Sequence, residues 1–233
     1  MMHKLLAAGA ASLMIGLGAT ASAATVTLSL TNQGTVATAP GSTATVFRAD
    51  LTGIGLAEIA AIKITDSNSG TGGSPGIYSG FDLDAIFLDI DGDFNTTADQ
   101  ISATAFLFMA GSVRPTLDTM FLPDAQDPGP TSGAIDATTV DEAQATLGAI
   151  DGVFFDTGSL TLGDGGMLTA IFGPSVPVGA SLFLFIAELG NSPGEGVDAT
   201  IEVSDVVPEV PLPGAAVLFA SGLAALRLRK KKA

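Results

Sequence analysis

Ser181-Leu182-Phe183-Leu184-Phe185-Ile186-Ala187-Glu188-Leu189 is the stretch that decides the fold. It is the most apolar of a series of short segments rich in aliphatic and aromatic residues, and Gly, Asp and Pro break the chain between them. Its length and composition are typical of a strand in the interior of an all-β protein. We therefore predict that residues 181–189 form a central strand.

In the segments on either side, polar and apolar residues alternate with the period of two that a half-buried strand requires. Thr25-Val-Thr-Leu-Ser-Leu-Thr31 alternates in this way from end to end. Further strands are predicted at residues 43–51, 58–65, 81–90, 101–109, 153–155, 159–162, 167–172 and 197–203. Short strands with frequent turn residues predict an all-β fold, a single β-sandwich or jelly-roll-like domain.

One segment favours a short helix within this sandwich. Thr139-Val140-Asp141-Glu142 fits a capping box, in which Thr139 and Glu142 would satisfy backbone groups at the helix start. Val140, Ala143 and Leu147 would then share one face, and Gly148 would end the helix.

The first 23 residues have the pattern of a secretory signal peptide. Lys4 supplies the positive charge, residues 5–19 are an apolar core, and Ala21-Ser22-Ala23 is a small-residue cleavage site. We predict cleavage before Ala24, which leaves residues 24–209 as the extracellular β-sandwich domain.

The C-terminal residues 210–233 combine a proline motif, an apolar segment and a basic cluster. The motif is Val210, Pro211, Leu212, Pro213 and Gly214, and the basic residues are Arg227, Arg229, Lys230, Lys231 and Lys232. The apolar segment is short for a span of roughly 20 residues, but Arg227 can extend its charge to the membrane surface. We predict a transmembrane helix with a cytoplasmic C-terminus; the alternative is a buried core helix with a solvated basic end.

This arrangement resembles the VPLPA-type variant of the PEP-CTERM sorting signal, with Gly214 where that pattern ends in Ala. The resemblance implies a Gram-negative host and recognition by an exosortase-like membrane protease-transferase. The protein would pass through the inner membrane, stay anchored by the C-terminal helix until the tail is cut near the proline motif, and reach the cell surface or extracellular matrix.

The composition of residues 24–209 restricts the functions that this domain can have. All 24 acidic residues lie there with only three basic ones, Arg48, Lys63 and Arg114, so the formal charge is −21. That charge excludes a nucleic-acid partner. The chain has no Cys, and its one His lies in the signal peptide, which removes serine triads, cysteine nucleophiles and His-based zinc sites. We predict that the protein is not an enzyme.

The residues most suited to a ligand form an acidic loop, Asp89-Ile-Asp91-Gly-Asp93-Phe-Asn95-Thr-Thr97-Ala-Asp99. Closely spaced carboxylates provide the hard oxygen ligands that Ca²⁺ prefers. The spacing resembles an EF-hand or dockerin loop but has Phe94 in place of Gly and Gln100 in place of the last acid. The candidate ligands are Asp89, Asp91, Asp93, Asn95 and Asp99, and the alternative is a solvated acidic turn.

Asp82 and Asp84 have the same side-chain direction on the preceding strand, and would contribute to this loop only if the strand faces it.

The predicted function is that of a structural or interaction protein of the cell surface or matrix, in an exopolysaccharide or biofilm layer. The alternative is a calcium-dependent glycan-binding module. A glycoside hydrolase with a carboxylate pair is the third reading, against which the absence of Trp and the single Tyr, Tyr78, weigh.

Overall fold

The computed structural model describes residues 23–69, 80–111, 133–153, 157–190 and 197–208, and the regular elements within these ranges are all strands. They are β1 (Thr25–Leu28), β2 (Thr31–Ala39), β3 (Ser42–Asp50), β4 (Glu58–Asp66), β5 (Asp82–Asp89), β6 (Gln100–Ser102), β7 (Ala105–Met109), β8 (Ala134–Asp136), β9 (Thr139–Val140), β10 (Leu160–Thr161), β11 (Met167–Pro177), β12 (Phe183–Leu189) and β13 (Ala199–Ser204). The fold class is all-β, as predicted.

The strands form two large antiparallel sheets and a small hairpin of β8 and β9. The first sheet, sheet A, has the order β1-β13-β4-β11-β7. The second, sheet B, has the order β10-β5-β12-β3-β2, and β6 pairs with β5 beside this path. β2 and β3, and β5 and β6, are consecutive in the chain, but the other neighbouring strands of the two sheets are far apart in sequence.

One buried cluster joins the two sheets. Ile62 and Ile64 of β4 and Leu168 of β11 come from sheet A, and Leu184 and Ile186 of β12 come from sheet B. Shared burial of inward-facing side chains from two sheets is consistent with a β-sandwich.

β12 lies between β5 and β3 in sheet B, which confirms the prediction of a central strand. Its residues after Phe183 are all buried, because both of its faces are covered. Leu184 and Ile186 face the main core, whereas Phe185 and Ala187 belong to a second cluster on the other face. That cluster also contains Ala44, Val46, Ala85 and Phe87, with Val36, Phe94, Ile150 and Phe183 partly buried against it. We call this face the outer face of sheet B.

Two strand predictions are corrected. Residues 101–109 are not one strand: β6 pairs with β5 in sheet B and β7 pairs with β11 in sheet A. The chain changes sheets at Thr104, whose backbone N–H donates to Ile171 O at 2.7 Å. β2 was not predicted, because Asn32-Gln33-Gly34 has the composition of a turn; these residues instead form a bulge opposite β3.

The helix predicted at residues 139–148 was wrong. Thr139 and Val140 form β9, and the chain then makes a single turn in which Gln144 N and Ala145 N both donate to Asp141 O. Asp141, not Thr139, caps this turn, since its side chain accepts from Ala143 N at 3.1 Å. The turn ends because Leu147 is buried in the main core and its carbonyl accepts from Ile86 N of β5.

The predicted signal peptide, apart from Ala23, and the predicted sorting tail, residues 210–233, lie outside the described residues. So does most of the strand predicted at residues 153–155. Among the residues that are described, no helix is long and apolar enough to cross a membrane.

Candidate metal site

The acidic loop connects two paired strands, and this pairing brings its ends together. Asp89 is the last residue of β5 and Gln100 is the first of β6, and these two residues lie opposite each other in the antiparallel register. Asp99 therefore lies close to Asp89, although the two are ten positions apart in the chain.

Three of the predicted ligands converge. One carboxylate oxygen each from Asp89, Asp91 and Asp99 lies within 4.8 Å of the other two. Two oxygens bound to the same Ca²⁺ at about 2.4 Å can be at most about 4.8 Å apart, and the three oxygens meet this condition. The structure thus groups three aspartates that could hold a metal ion.

Asp89 forms the inner side of this group and is completely buried. Its Oδ1 accepts from Gly92 N at 2.5 Å, while its Oδ2 is buried and has no hydrogen-bond partner. Burial raises the pKa of the Asp89 carboxyl, the Gly92 N–H opposes this, and the negative charges of Asp99 and Asp91 raise it further. An unpartnered buried carboxylate oxygen is costly unless a cation or proton compensates it.

Asp91 and Asp99 form the outer side of the group. Asp91 is exposed and its Oδ1 accepts from Asp93 N at 2.8 Å. Asp99 is half-buried, and its Oδ1 accepts from Thr96 Oγ1 at 3.2 Å. The site is thus closed by the protein at Asp89 and open to solvent at Asp91.

Of the other two predicted ligands, Asp93 is not a member of this three-aspartate group, and Asn95 is its hydrogen-bond partner. Asp93 is exposed, and its Oδ1 accepts from Asn95 N and Asn95 Nδ2 at 3.0 and 2.8 Å. These hydrogen bonds hold the pKa of Asp93 below its usual value. Asp93 and Asn95 therefore bond to each other and shape the turn.

Gly92 and Phe94 determine where the loop lies on sheet B. Gly92 has φ +79°, and a Cβ atom there would be 2.9 Å from Phe183 Cε2. Phe94 packs edge-on against Phe185, with ring centroids 5.6 Å apart, and Phe185 also contacts Phe87 at 5.6 Å. The loop is therefore fixed by aromatic packing as well as by the pairing of β5 with β6.

Asp82 and Asp84 do not join the metal group. Asp82 accepts from Thr161 Oγ1 of β10 at 2.5 Å, and Asp84 accepts from the backbone of Asp151 and Gly152. The two side chains have different partners because the register of β5 with β12 shifts at Asp84. The proline motif, residues 210–214, and the basic residues 227 and 229–232 lie outside the described residues.

Comparison with known proteins finds no match: no family model, no curated protein and no solved structure is similar to this chain.

Proposed function

We propose that the protein is an exported structural protein of the cell surface or extracellular matrix, with a jelly-roll-like β-sandwich stabilised by a calcium ion at Asp89, Asp91 and Asp99. An exosortase-like system would deliver it to an exopolysaccharide or biofilm layer. The observation that carries the calcium proposal is the buried Asp89, whose Oδ2 has no hydrogen-bond partner and whose carboxylate is grouped with those of Asp91 and Asp99.

The chemistry of the donors favours Ca²⁺ over a transition metal. The three side chains offer only carboxylate oxygens, and residues 24–209 contain neither His nor Cys. Such hard oxygen ligands suit Ca²⁺, Mg²⁺ or Mn²⁺, and the larger Ca²⁺ accepts irregular coordination completed by water. Water would fill the remaining positions on the exposed side at Asp91.

The pairing of β1 with β13 is compatible with targeting segments at both ends of the domain. Thr25 lies opposite Ser204, so the first and last strands meet at one edge of sheet A. Ala24 N donates to Asp205 Oδ1 at 3.0 Å at that same edge. Segments that precede Ala24 and follow Pro208 would therefore leave the domain from one end.

The test of the calcium proposal is thermal unfolding of the full-length protein in excess Ca²⁺ and in chelator. Ligand at about 100 times its dissociation constant should stabilise the fold by about 2.7 kcal/mol, which raises Tm by several degrees. Asp91→Asn and Asp99→Asn should each remove most of this rise.

Two matched controls distinguish the loss of a calcium ligand from the loss of a negative charge. Asp93→Asn removes the same charge from the same loop and should keep the calcium response, since Asp93 is not a member of the three-aspartate group. Asp136→Asn removes a charge from the exposed β8–β9 turn. A Tm that is equal in Ca²⁺ and chelator, or a response lost equally in all variants, would contradict the proposal.

A calcium-dependent glycan-binding module is the second candidate, favoured by the exposure of Asp91. An ion bound there would keep coordination positions on its solvent side, where sugar hydroxyls could replace water. Binding to an exopolysaccharide array that chelator abolishes would support this function, and a blank array in Ca²⁺ would contradict it while leaving the structural role intact.

A further inference from the structure

Asp84 occupies a bulge in the pairing of β5 with β12. Ala187 lies opposite Ala85 and Glu188 lies opposite Leu83, so Asp84 is the extra residue between two paired positions. Its side chain is completely buried. A bulge redirects a side chain out of the regular alternation, and here it directs Asp84 to the segment of residues 151–152.

The two oxygens of Asp84 have different surroundings. Oδ1 accepts from Gly152 N at 2.8 Å and from Asp151 N at 3.3 Å. Oδ2 is buried and has no hydrogen-bond partner. Position 152 has to be glycine for this approach, because a Cβ atom there would lie 2.8 Å from Oδ1 and 2.9 Å from Leu189 Cδ1.

The segment that Asp84 holds covers part of the outer face of sheet B. Ile150 packs against the second cluster, which contains Phe87 and Phe185. A second tether comes from β2, where Thr38 Oγ1 donates to Gly152 O at 2.5 Å. A third hydrogen bond comes from within the loop, where Thr146 Oγ1 donates to Asp151 Oδ1 at 2.6 Å. Residues 150–152 are thus fixed by the Asp84 carboxyl, by two hydroxyl groups and by one apolar contact.

The charged groups around Asp84 are all acidic. They are Asp82 on β5, Asp151 on the covering segment and Glu188 on β12. β2 carries no titratable side chain, and no Lys or Arg is present in β2, β5, β12 or residues 137–153. No cationic side chain on these elements compensates a negative charge at Asp84.

The ionised form of Asp84 is consequently disfavoured while the segment is closed. Burial raises the pKa of this carboxyl to about 7, the N–H groups of Gly152 and Asp151 oppose the rise, and the charge of Asp151 adds to it. Opening of the segment would let water reach Oδ2 and would return the carboxyl to an ordinary pKa.

We propose that Asp84 is a proton-controlled latch: the neutral side chain keeps residues 150–152 closed over the outer face of sheet B, and ionisation releases them. This latch is separate from the calcium site, because Asp84 is not a member of the three-aspartate group. It makes the exposure of Ile150 and of part of the second cluster depend on pH near neutrality.

Hydrogen exchange in the full-length protein tests the latch, with chelator present so that calcium does not contribute. Protection factors, corrected for the intrinsic rate at each pH, should fall for Asp151 and Gly152 between pH 5 and pH 9. The carboxyl of Asp84 has a pKa of about 7 in the closed state and an ordinary value in the open state. By linkage, this difference allows the protection factors to fall by up to about 100-fold over this pH range. The amides of β12 should stay more protected than those of Asp151 and Gly152 at every pH, because a central strand exchanges only on global unfolding.

Two variants identify the group responsible. Asp84→Asn keeps an oxygen for the two N–H donors but cannot ionise, so its protection should not depend on pH. Asp151→Asn removes a neighbouring charge, so the fall should persist with its midpoint at lower pH. A fall of equal size in Asp84→Asn, or constant protection in the unmodified protein, overturns the proposal.

A direct titration keeps the proposal falsifiable if Asp84→Asn does not fold. Carboxyl ¹³C NMR of the unmodified protein reports the titration of Asp84 itself. A midpoint above pH 5.5 supports the latch, and a midpoint below it overturns the latch.

Discussion

Asp84 and Asp89 are two buried carboxylates on β5 that have the same bonding pattern on either side of Phe87. In each, Oδ1 accepts from the backbone of a covering segment, at Gly152 for Asp84 and at Gly92 for Asp89, while Oδ2 is buried without a partner. The two covering segments contribute Ile150 and Phe94 to the cluster around Phe87. Two aspartates of one strand therefore hold the two segments that cover the outer face of sheet B.

Stability should fall as pH rises through neutrality because of Asp84. Its pKa is about 7 in the folded protein against 3.8 in the unfolded chain, so its contribution is fully present below about pH 4 and is lost as pH rises to 7. Between pH 5 and pH 8 the free energy of unfolding should drop by about 2.5 kcal/mol, measured by denaturant titration in chelator. Burial of Asp89 acts in the same direction.

Asp84→Asn is the variant that isolates this effect. It should flatten the pH dependence between pH 5 and pH 8, apart from the contribution of Asp89. The exposed carboxyls with lowered pKa values, Asp50, Asp93 and Asp136, are ionised in both states over this range and should not contribute. Stability that rises from pH 5 to pH 8 would show that the sign is wrong.

Gly92→Ala should weaken both the fold and the calcium response. The substitution places a Cβ at positive φ, which costs about 1–2 kcal/mol, and brings that atom against the Phe183 ring. The turn that carries Asp91 must then shift. Most of the rise in Tm that Ca²⁺ causes should therefore be lost, as measured by thermal unfolding in Ca²⁺ and in chelator.

Gly53→Ala is the matched control for Gly92→Ala. Gly53 also has positive φ, at +72°, but nothing lies within 4 Å of a Cβ built there. It should lose stability through backbone strain alone and keep the full calcium response. If both variants lose the response equally, the position of the loop against Phe183 does not matter.

Much of the fold could be predicted because the alternation of polar and apolar residues that marks a strand can be seen within a short stretch of sequence. The apolar run of β12 and the alternation of β13, where Ile201 and Val203 are buried between more exposed neighbours, follow directly from strand geometry. β2 was missed because its bulge and edge position allow polar residues and Gly34. The helix after Thr139 was wrong because Thr139 and Val140 pair with β8, and this pairing overrides the local capping signal.

The candidate site could be predicted in part for the same reason. The spacing of carboxylates predicted Asp89, Asp91 and Asp99 among its candidate ligands, but only the pairing of β5 with β6 brings these three together without Asp93. The environment of Asp84 depends on a bulge and on backbone donors 67 and 68 positions away. No local pattern in the sequence contains that contact.

Phe94→Ala should weaken calcium binding without removing a ligand. The ring lies between Asp91 and Asp99 in the chain and packs edge-on against Phe185, so its loss frees the loop from sheet B. We expect the calcium Kd, measured by isothermal titration, to rise at least threefold, because ordering the loop must then be driven by the ion. Aromatic pairs of this geometry contribute about 0.5–1.5 kcal/mol, so the fold itself should survive.

Phe106→Ala tests whether such an effect is specific to the loop. Phe106 is on β7 in sheet A and is partly buried against the main core. Its truncation should lower stability and leave the calcium Kd unchanged. An unchanged Kd in Phe94→Ala, or an equal rise in both variants, would show that Phe94 does not position the ligands.

The mass of the protein extracted from the cell surface should correspond to a chain that begins at Ala24 and lacks Arg227 to Lys232. Ala24 is exposed, and its nitrogen already lies 3.0 Å from Asp205 Oδ1, so cleavage before it would place the new amino group beside a carboxylate. Pairing of β1 with β13 would then survive the cut. Intact-mass spectrometry checks both ends at once, and a mass that retains the basic cluster would contradict processing of the tail by an exosortase-like enzyme.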